Sequence, residues 1–525
     1  MFPRRLLSCS KNVLSLLTYS GISGILAGSV VFFLPENNKL DSYGMIRLGR
    51  AAYTVLKITY IYNQNLYAKH YDCNTDDYRK WSSFCHKKGA EELLKLCCLN
   101  KGVYIKVGQH LAALDYLIPT EYVETMKVLH SNGPTTNMDD VYKVIKEDLK
   151  QDPKDVFTFI DPQPIGVASL AQVHKATLKD GSTVALKVQH SYVKGHTMVD
   201  MKSMEYLVNI VGFIFPDFKF HWFVDEMKTN IPLELDFINE GKNSEKIFKL
   251  MSKSSPWLFI PKVNWNLTSS RILTMDYVEG GHINDLKYME THGIDPADVS
   301  DKLSQLYSEM IFIHGFVHSD PHPGNILIRN NSKINGCELI LLDHGLYATL
   351  KKDFMAEYAK LWLSILDKDK IGMEIHSKNL GVNGDGMYGL FACMVTGRSW
   401  SSIIGGLEKV EPTKEETERV QSRLPEVFPH MAKILQSVNR QMYLIFKANG
   451  LVHGLEHTLR TKSRKCTFKT MCRCCVRSVY GKKLDESTSK IEKIKVAVIQ
   501  YWLLLKITVY YTMSSVQDLL KMLGV

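Results

Sequence analysis

Residues 314–343 constrain this chain more than any other stretch. HGFVHSDPHPGN is followed by an apolar run at Ile326–Ile328, an Asn- and Gly-rich turn, a second run at Glu338–Leu342, and then Asp343. Short apolar runs bounded by turn residues read as two strands joined in a hairpin. The preceding stretch, 298–315, carries Val299, Leu303, Leu306, Met310 and Ile313 at three- and four-residue spacing, so it reads as a helix that ends at Gly315. A polar loop then holds Asp320 and Asn325, and Asp343 opens Asp-His-Gly after the second strand. Upstream, VASLAQVHKATL and TVALKVQ flank Asp180-Gly181. This is a strong hairpin signal, because tight turns need positive φ, which Gly and Asp tolerate. In its second strand Val184, Leu186 and Val188 point one way and Ala185 and Lys187 the other, so a lysine is presented on the face opposite an apolar one.

Phosphoryl transfer needs an acceptor for the nucleophile's proton, oxygen ligands for Mg²⁺ and a lysine on the nucleotide phosphates. Lys187, Asp320, Asn325 and Asp343 supply these in order. The Asp320-to-Asn325 spacing equals that of the loop H-R-D-x-x-x-x-N, and a hairpin then a D-x-G metal ligand follow as in kinases. Asn325 and Asp343 offer the hard oxygens that Mg²⁺ prefers. A rival chemistry uses His318, Asp320 and His322, with His314 and His344 nearby, as a metal cluster of a hydrolase. It leaves Asn325, Asp343 and the Lys187 hairpin without a role. The chain contains no G-x-x-x-x-G-K-[ST], which argues against a Walker-type ATPase.

At 525 residues the chain exceeds one ordinary domain. Its 11 cysteines lack framework spacing, which points to reduced thiols. The net charge of +10 invites a nucleic-acid reading, but 12 basic against 3 acidic residues fall between Arg460 and Lys495, and Arg4, Arg5 and Lys11 lie at the other end. Basic residues gathered at the ends rather than on the body exclude a nucleic-acid groove and suit anionic membrane lipid. Residues 1–12 have the basic, acid-poor character of a mitochondrial targeting segment. Val13–Leu34 follows with 22 uncharged residues, enough for one membrane span, with Ser20, Gly24 and Gly28 as a small-residue stripe. Near the other end, Val496–Tyr511 is 16 residues long and interrupted by Lys506, so an interfacial or protein-packed helix is expected there rather than a second span. Cys466, Cys472, Cys474 and Cys475 leave metal binding, a basic cysteine-rich face and palmitoylation all open.

The strings KVGQH (106–110), ASLAQVHKA (168–176), ELDFINEGKN (234–243), HGFVHSDPHPGN (314–325) and LLDHGLY (341–347) resemble the aarF/UbiB family of atypical kinase-like proteins, most closely a mitochondrial branch of it. The resemblance implies an α+β, protein-kinase-like bilobal fold behind an N-terminal transmembrane helix. Its parts are a helical extension over 41–160, an N-lobe over 161–278, a C-lobe over 279–460 and a basic, Cys-containing tail with an apolar helix over 461–525. It implies that Lys187 contacts the phosphates of ATP and pairs with Glu240, that Asp320 is catalytic, and that Asn325 and Asp343 hold Mg²⁺. The family's motif residues fall on Lys106, Gly108 and Gln109, on Glu234 and Asp236, and on His318. Spacing alone puts Lys106, Gln109 and His110 on one helical face. Where the family has an alanine-rich nucleotide loop, this chain has Gly166, Val167, Ala168 and Ser169. Gly frees the backbone to approach phosphate, whereas Val adds bulk.

The implied function is an ATPase or a small-molecule or lipid phosphotransferase of the mitochondrial inner membrane, serving membrane-lipid or coenzyme Q homeostasis. The alternative is a catalytically weak, nucleotide-gated scaffold that regulates mitochondrial membrane proteins and cristae upkeep.

Overall fold

The computed structural model describes residues 44–68, 71, 75–113, 118–130, 133, 135–214, 221–320, 322–332, 334, 336–405, 430–431, 433–435, 437–459 and 464–522. The expected targeting segment at residues 1–12 and the expected membrane span at 13–34 lie outside these residues. The chain divides into two compact units. Residues up to Gly241 together with Val263–Tyr277 form unit 1, and Lys242–Lys262 together with everything after Tyr277 forms unit 2. The stretch Lys242–Lys262, inside the N-lobe bounds expected from sequence, thus belongs with unit 2.

Unit 1 begins with helices α1 (Met45–Tyr62), α2 (Asp76–Asn100), α3 (Val103–Ala112), α4 (Thr120–Met126) and α5 (Met138–Leu149). Thr75 caps α2 by accepting from the Tyr78 amide, and Asn137 caps α5 by accepting from the Asp140 amide. Strands β1 (Phe157–Ile160), β2 (Gly166–Val167), β3 (Ala171–Leu178), β4 (Thr183–Gln189) and, after helices α6 (Val193–Ile214), α7 (His221–Glu234) and α8 (Phe237–Met251), β6 (Ile272–Asp276) form one antiparallel sheet; β5 (Leu258–Phe259) belongs to unit 2.

The β3–β4 hairpin forms as its residues require. Gly181 takes φ +84°, Asp180 Oδ1 accepts from the Ser182 amide at 2.8 Å, and Lys187 pairs across with Val173. Val184, Leu186 and Val188 pack with Val141, Val144 and Ile145 of α5, whereas Ala185 packs on the other side with Phe237 and Leu273. The period-two alternation thus becomes a sheet covered on both faces. Each large apolar side chain taken out of water there contributes roughly 1.5–3 kcal/mol. The helical extension is tied to the rest of unit 1 by a buried, bidentate Arg47–Asp200 pair joining α1 to α6, at 2.8 and 2.6 Å.

Unit 2 contains β7 (Gly281–His282), helix α9 (Pro296–Glu309), β8 (Phe316–His318), β9 (Ile326–Asn331), β10 (Gly336–Leu341), β11 (Tyr347–Thr349) and helix α10 (Lys352–Leu366). Asp295 caps α9, and a π-turn at Met310–His314 carries it to Gly315 at φ +60°. A Cβ at Gly315 would lie 2.6 Å from the Met355 sulfur, so packing as well as backbone conformation calls for glycine. The β9–β10 hairpin is antiparallel, with Leu341 opposite Ile326.

The stretch expected as a tail is, in its first half, part of the packed body. Helix α11 (Arg464–Glu486) packs on α9 and α10 and buries Cys472, Cys474 and Cys475. Burial pushes the Cys474 thiol up to about 12 and raises that of Cys475 as well, so both stay protonated and enclosed. Neither thiol suits metal binding or acylation; the Cys466 side chain lies outside the described residues. The final helix, α12 (Lys490–Met522), runs for 33 residues, well past the 16 apolar ones read from sequence. Its stretch Lys490–Met513 is long and apolar enough to cross a membrane by length and composition.

Candidate active site

Unit 1 carries the Lys187 cluster. Lys187 Nζ lies 2.7 and 2.9 Å from the two carboxylate oxygens of Glu240, and the side chains are 13% and 1% exposed. The ammonium also lies 5.1 Å from the centre of the Phe237 ring. Strand β4 sets the lysine's direction and the first turn of α8 sets the glutamate's, so the pair is placed by two elements packed on one sheet.

The loop Gly166–Ser169 runs from β2 into a tight turn, with the Ala168 amide donating to the Ala171 carbonyl at 2.8 Å. His190 braces it from behind. Its Nε2 donates to the Ala168 carbonyl at 3.2 Å, and its Nδ1 lies 2.6 Å from the Thr136 hydroxyl. The first bond requires the proton on Nε2, and in the neutral ring that burial favours Nδ1 accepts from the hydroxyl. Burial lowers the imidazole's pKa, opposed by the bond to Ala168 and aided by the Lys101 charge. A Cβ on Gly166 would meet nothing within 4 Å, so the glycine that departs from the family's alanine is not demanded by space.

The Lys-x-Gly-Gln motif sits on α3 and is not a surface turn. Lys106 Nζ pairs with Glu234 Oε2 at 2.9 Å, and His110 Nε2 lies 3.2 Å from the other oxygen, all three side chains being buried. Gly108 lets α3 approach closely, since a Cβ would come within 2.3 Å of Leu129 Cδ1. Gln109 Nε2 donates to the Leu129 carbonyl at 2.9 Å, and its oxygen accepts from the Ser169 hydroxyl at 3.4 Å. The motif is thereby joined to the Gly166–Ser169 loop. Asp236 accepts from the Ile238 amide at 3.1 Å and caps α8, which carries Glu240.

Unit 2 carries the acidic motif residues. Asp320 follows β8, and Asn325 closes a one-turn helix, Pro323–Asn325, capped by His322 through the Gly324 amide. The Asn325 carbonyl accepts from the Leu342 amide at 3.0 Å, so Asn325 and Asp343 flank the same end of the β9–β10 hairpin. Asp343 is held by its backbone. His318 Nε2 donates to its carbonyl at 3.0 Å, and its own Oδ1 accepts from the Gly345 amide at 2.9 Å. Asn243 donates to the neighbouring His344 carbonyl at 3.0 Å. Burial raises the pKa of the Tyr307 phenol, and the Asp320 charge adds to the shift, which marks the two as neighbours.

These placements bear on the two metal chemistries. Among the described residues no three His, Cys, Asp or Glu side chains gather as ligands. His318, His322 and His344 are engaged instead with main-chain groups, and His344 also with the Tyr347 hydroxyl. The carboxylate of Asp343 and the side-chain amide of Asn325, brought to one hairpin end, fit the hard-oxygen preference of Mg²⁺.

Two positioning residues were not singled out from sequence. Asn243 ends the string ELDFINEGKN and so lay in view. His190, three residues after Lys187, carries no pattern that would mark it.

The ABC1 atypical kinase-like domain matches residues 128–377. The chain is 51% identical over 475 residues to the AarF domain-containing kinase 1 of Drosophila melanogaster, covering 90% of this chain and 91% of the fly protein. It is 42% identical over 512 residues to the AarF domain-containing protein kinase 1 of Mus musculus, covering 97% and 96%. Identity to the ABC1 family protein MCP2 homolog of Schizosaccharomyces pombe is 36% over 414 residues, covering 77% and 74%. Identity at this level over nearly whole chains leaves one conclusion about descent: this chain belongs to the ABC1/AarF family of atypical kinase-like proteins.

Proposed function

We propose that this protein is an ATP- and Mg²⁺-dependent ATPase or phosphotransferase that acts on a small molecule or lipid at the mitochondrial inner membrane, in support of membrane-lipid or coenzyme Q homeostasis. The observation that carries the reading is the buried bidentate Lys187–Glu240 pair. A lysine that only solvated a strand would not be held by both oxygens of a carboxylate that is itself 1% exposed. In this reading Glu240 aims the Lys187 ammonium at the nucleotide phosphates. Asp320 accepts the proton of the attacking hydroxyl or water. Asn325 and Asp343 would hold Mg²⁺, which when bound neutralises phosphate charge. The loop Gly166–Ser169, braced by His190 and Gln109, shapes the approach to the phosphates. A small acceptor is favoured over a protein chain because α3 is bonded through Gln109 to that loop, which restricts a bulky substrate there. Anchoring by residues 13–34 and import through residues 1–12 complete the proposal.

The test uses the full-length chain in detergent. Asp343→Asn removes the charge that holds the metal and should abolish Mg²⁺-dependent ATP binding by calorimetry. Asp320→Asn should leave affinity nearly intact while lowering turnover by roughly 10²–10⁴. Retained Mg·ATP affinity in the first variant removes the metal assignment, and unchanged turnover in the second moves the protein to the scaffold class.

A further inference from the structure

The last helix has two unlike faces. Along one side of α12, Val496, Gln500, Leu503, Ile507 and Tyr511 are partly or wholly buried, and α11 is the element α12 packs on most extensively. On the opposite side Ile494, Val498, Trp502, Leu505, Val509 and Met513 recur every three or four residues, and each is at least 42% exposed. At 100° per residue these six keep to one stripe. Lys495 and Lys506, eleven residues apart and both exposed, fall at nearly the same angle on its flank, with Lys490 on the other side.

We propose that this stripe lies in the plane of an anionic phospholipid bilayer and docks unit 2 on it, independently of any anchor at residues 13–34. Three features select that occupant and that orientation. First, the flanking lysines complement a negatively charged surface, whereas a second copy of the same stripe would bring like charges together. Second, a transmembrane placement would have to carry Lys506, or α11 with Arg473 and Arg477, into hydrocarbon, where each charge is costly. An in-plane helix lets Lys495 and Lys506 extend to the headgroups while their stems cover apolar surface. Third, Tyr501, Trp502 and Tyr510 are exposed along the middle of the helix rather than collected at its ends, which suits a helix that lies at headgroup depth throughout.

The proposal separates from the nucleotide reading, because no residue of the stripe belongs to the catalytic machinery described above. The experiment reconstitutes the full chain into vesicles of phosphatidylcholine, or of equal parts phosphatidylcholine and phosphatidylglycerol, containing lipid brominated either near the headgroup or deep in the acyl chain. The difference in fluorescence quenching between wild type and Trp502→Phe isolates the Trp502 signal. The expected result is quenching by shallow bromine that exceeds quenching by deep bromine and is stronger in anionic vesicles. Lys495→Glu combined with Lys506→Glu should weaken the anionic preference on the order of tenfold and leave ATP turnover in detergent unchanged, which also reports that the variant is folded. Deep quenching above shallow would overturn the in-plane placement in favour of a span. No quenching at Trp502 in either vesicle would overturn the bilayer as occupant, and a dimer in detergent that Val498→Ser with Val509→Ser dissolves would assign the stripe to a second copy.

Discussion

The two units hold their functional charges by different means. In unit 1 charge is held by charge: Lys187 by Glu240, Lys106 by Glu234 with His110, and Arg47 by Asp200, in each case buried side chain against buried or nearly buried side chain. In unit 2 the acidic motif is positioned through main-chain groups, by His318 on the Asp343 carbonyl, Asn243 on the His344 carbonyl and Gly345 on the Asp343 carboxylate. A backbone-held loop keeps its shape when a carboxylate becomes an amide of the same outline. A buried ion pair does not, because removing one partner strands the other away from water. Stability and chemistry are therefore coupled in unit 1 through these pairs.

The strongest way to break that contrast is Glu240→Gln. It leaves the Lys187 ammonium without its carboxylate and should cost about 3–5 kcal/mol in urea unfolding, the range for halving a buried pair. Adding Lys187→Met should recover most of the loss, as expected when the stranded charge rather than a lost bond is responsible. A cost under about 1 kcal/mol, comparable to a surface pair, would place unit 1 in the same class as unit 2.

Lys106→Ala is a sharper and smaller probe. Glu234 keeps His110 as a partner, so the stability loss should stay below that of Glu240→Gln, at about 1–3 kcal/mol. Nucleotide affinity should still change by at least about tenfold, or 1.4 kcal/mol, because the helix bearing Lys106 also bears Gln109, which is bonded to Ser169. Identical affinities in two folded proteins would disconnect the Lys-x-Gly-Gln helix from the nucleotide loop.

The smallest effect concerns pH. Burial lowers the His190 pKa below its unfolded value of about 6.5. Its contribution to stability is therefore complete above about pH 6.5 and is lost as pH falls toward the folded value, at no more than about 1.4 kcal/mol per pH unit. His190→Gln can still donate to Ala168 but does not titrate. Urea midpoints should show wild type losing more stability than this variant between about pH 7.5 and 5.5. His86 and His314, also lowered by burial, are present in both proteins and drop out of the difference. Parallel pH profiles would mean that the loop does not depend on a neutral His190.

Much of the candidate site's local structure was legible in the sequence because its signals are local. Asp180-Gly181 specifies a tight turn, alternation in TVALKVQ specifies which way Lys187 points, and the order of Asp320, Asn325, hairpin and Asp343 needs only spacing. Lys106 was harder. Three- and four-residue spacing put it on a face with Gln109 and His110, but spacing alone would have left that face in solvent. His190 gave no signal, since its role depends on Thr136 and Ala168 reaching it from two other segments.

Local stereochemistry thus let the sequence by itself determine the hairpins, the helix ended by Gly315, and the order of the groups that phosphoryl transfer requires. Tertiary structure alone decided that Lys106 and His110 meet Glu234, His110 and Glu234 being 124 positions apart in sequence. It also decided that Cys472, Cys474 and Cys475 are enclosed and that α12 keeps one apolar face against α11 and the other bare. The physical reason is the same in each case. A side chain's charge state and exposure are set by whatever packs against it, and a partner brought from a distant part of the chain leaves no mark in the spacing of its neighbours.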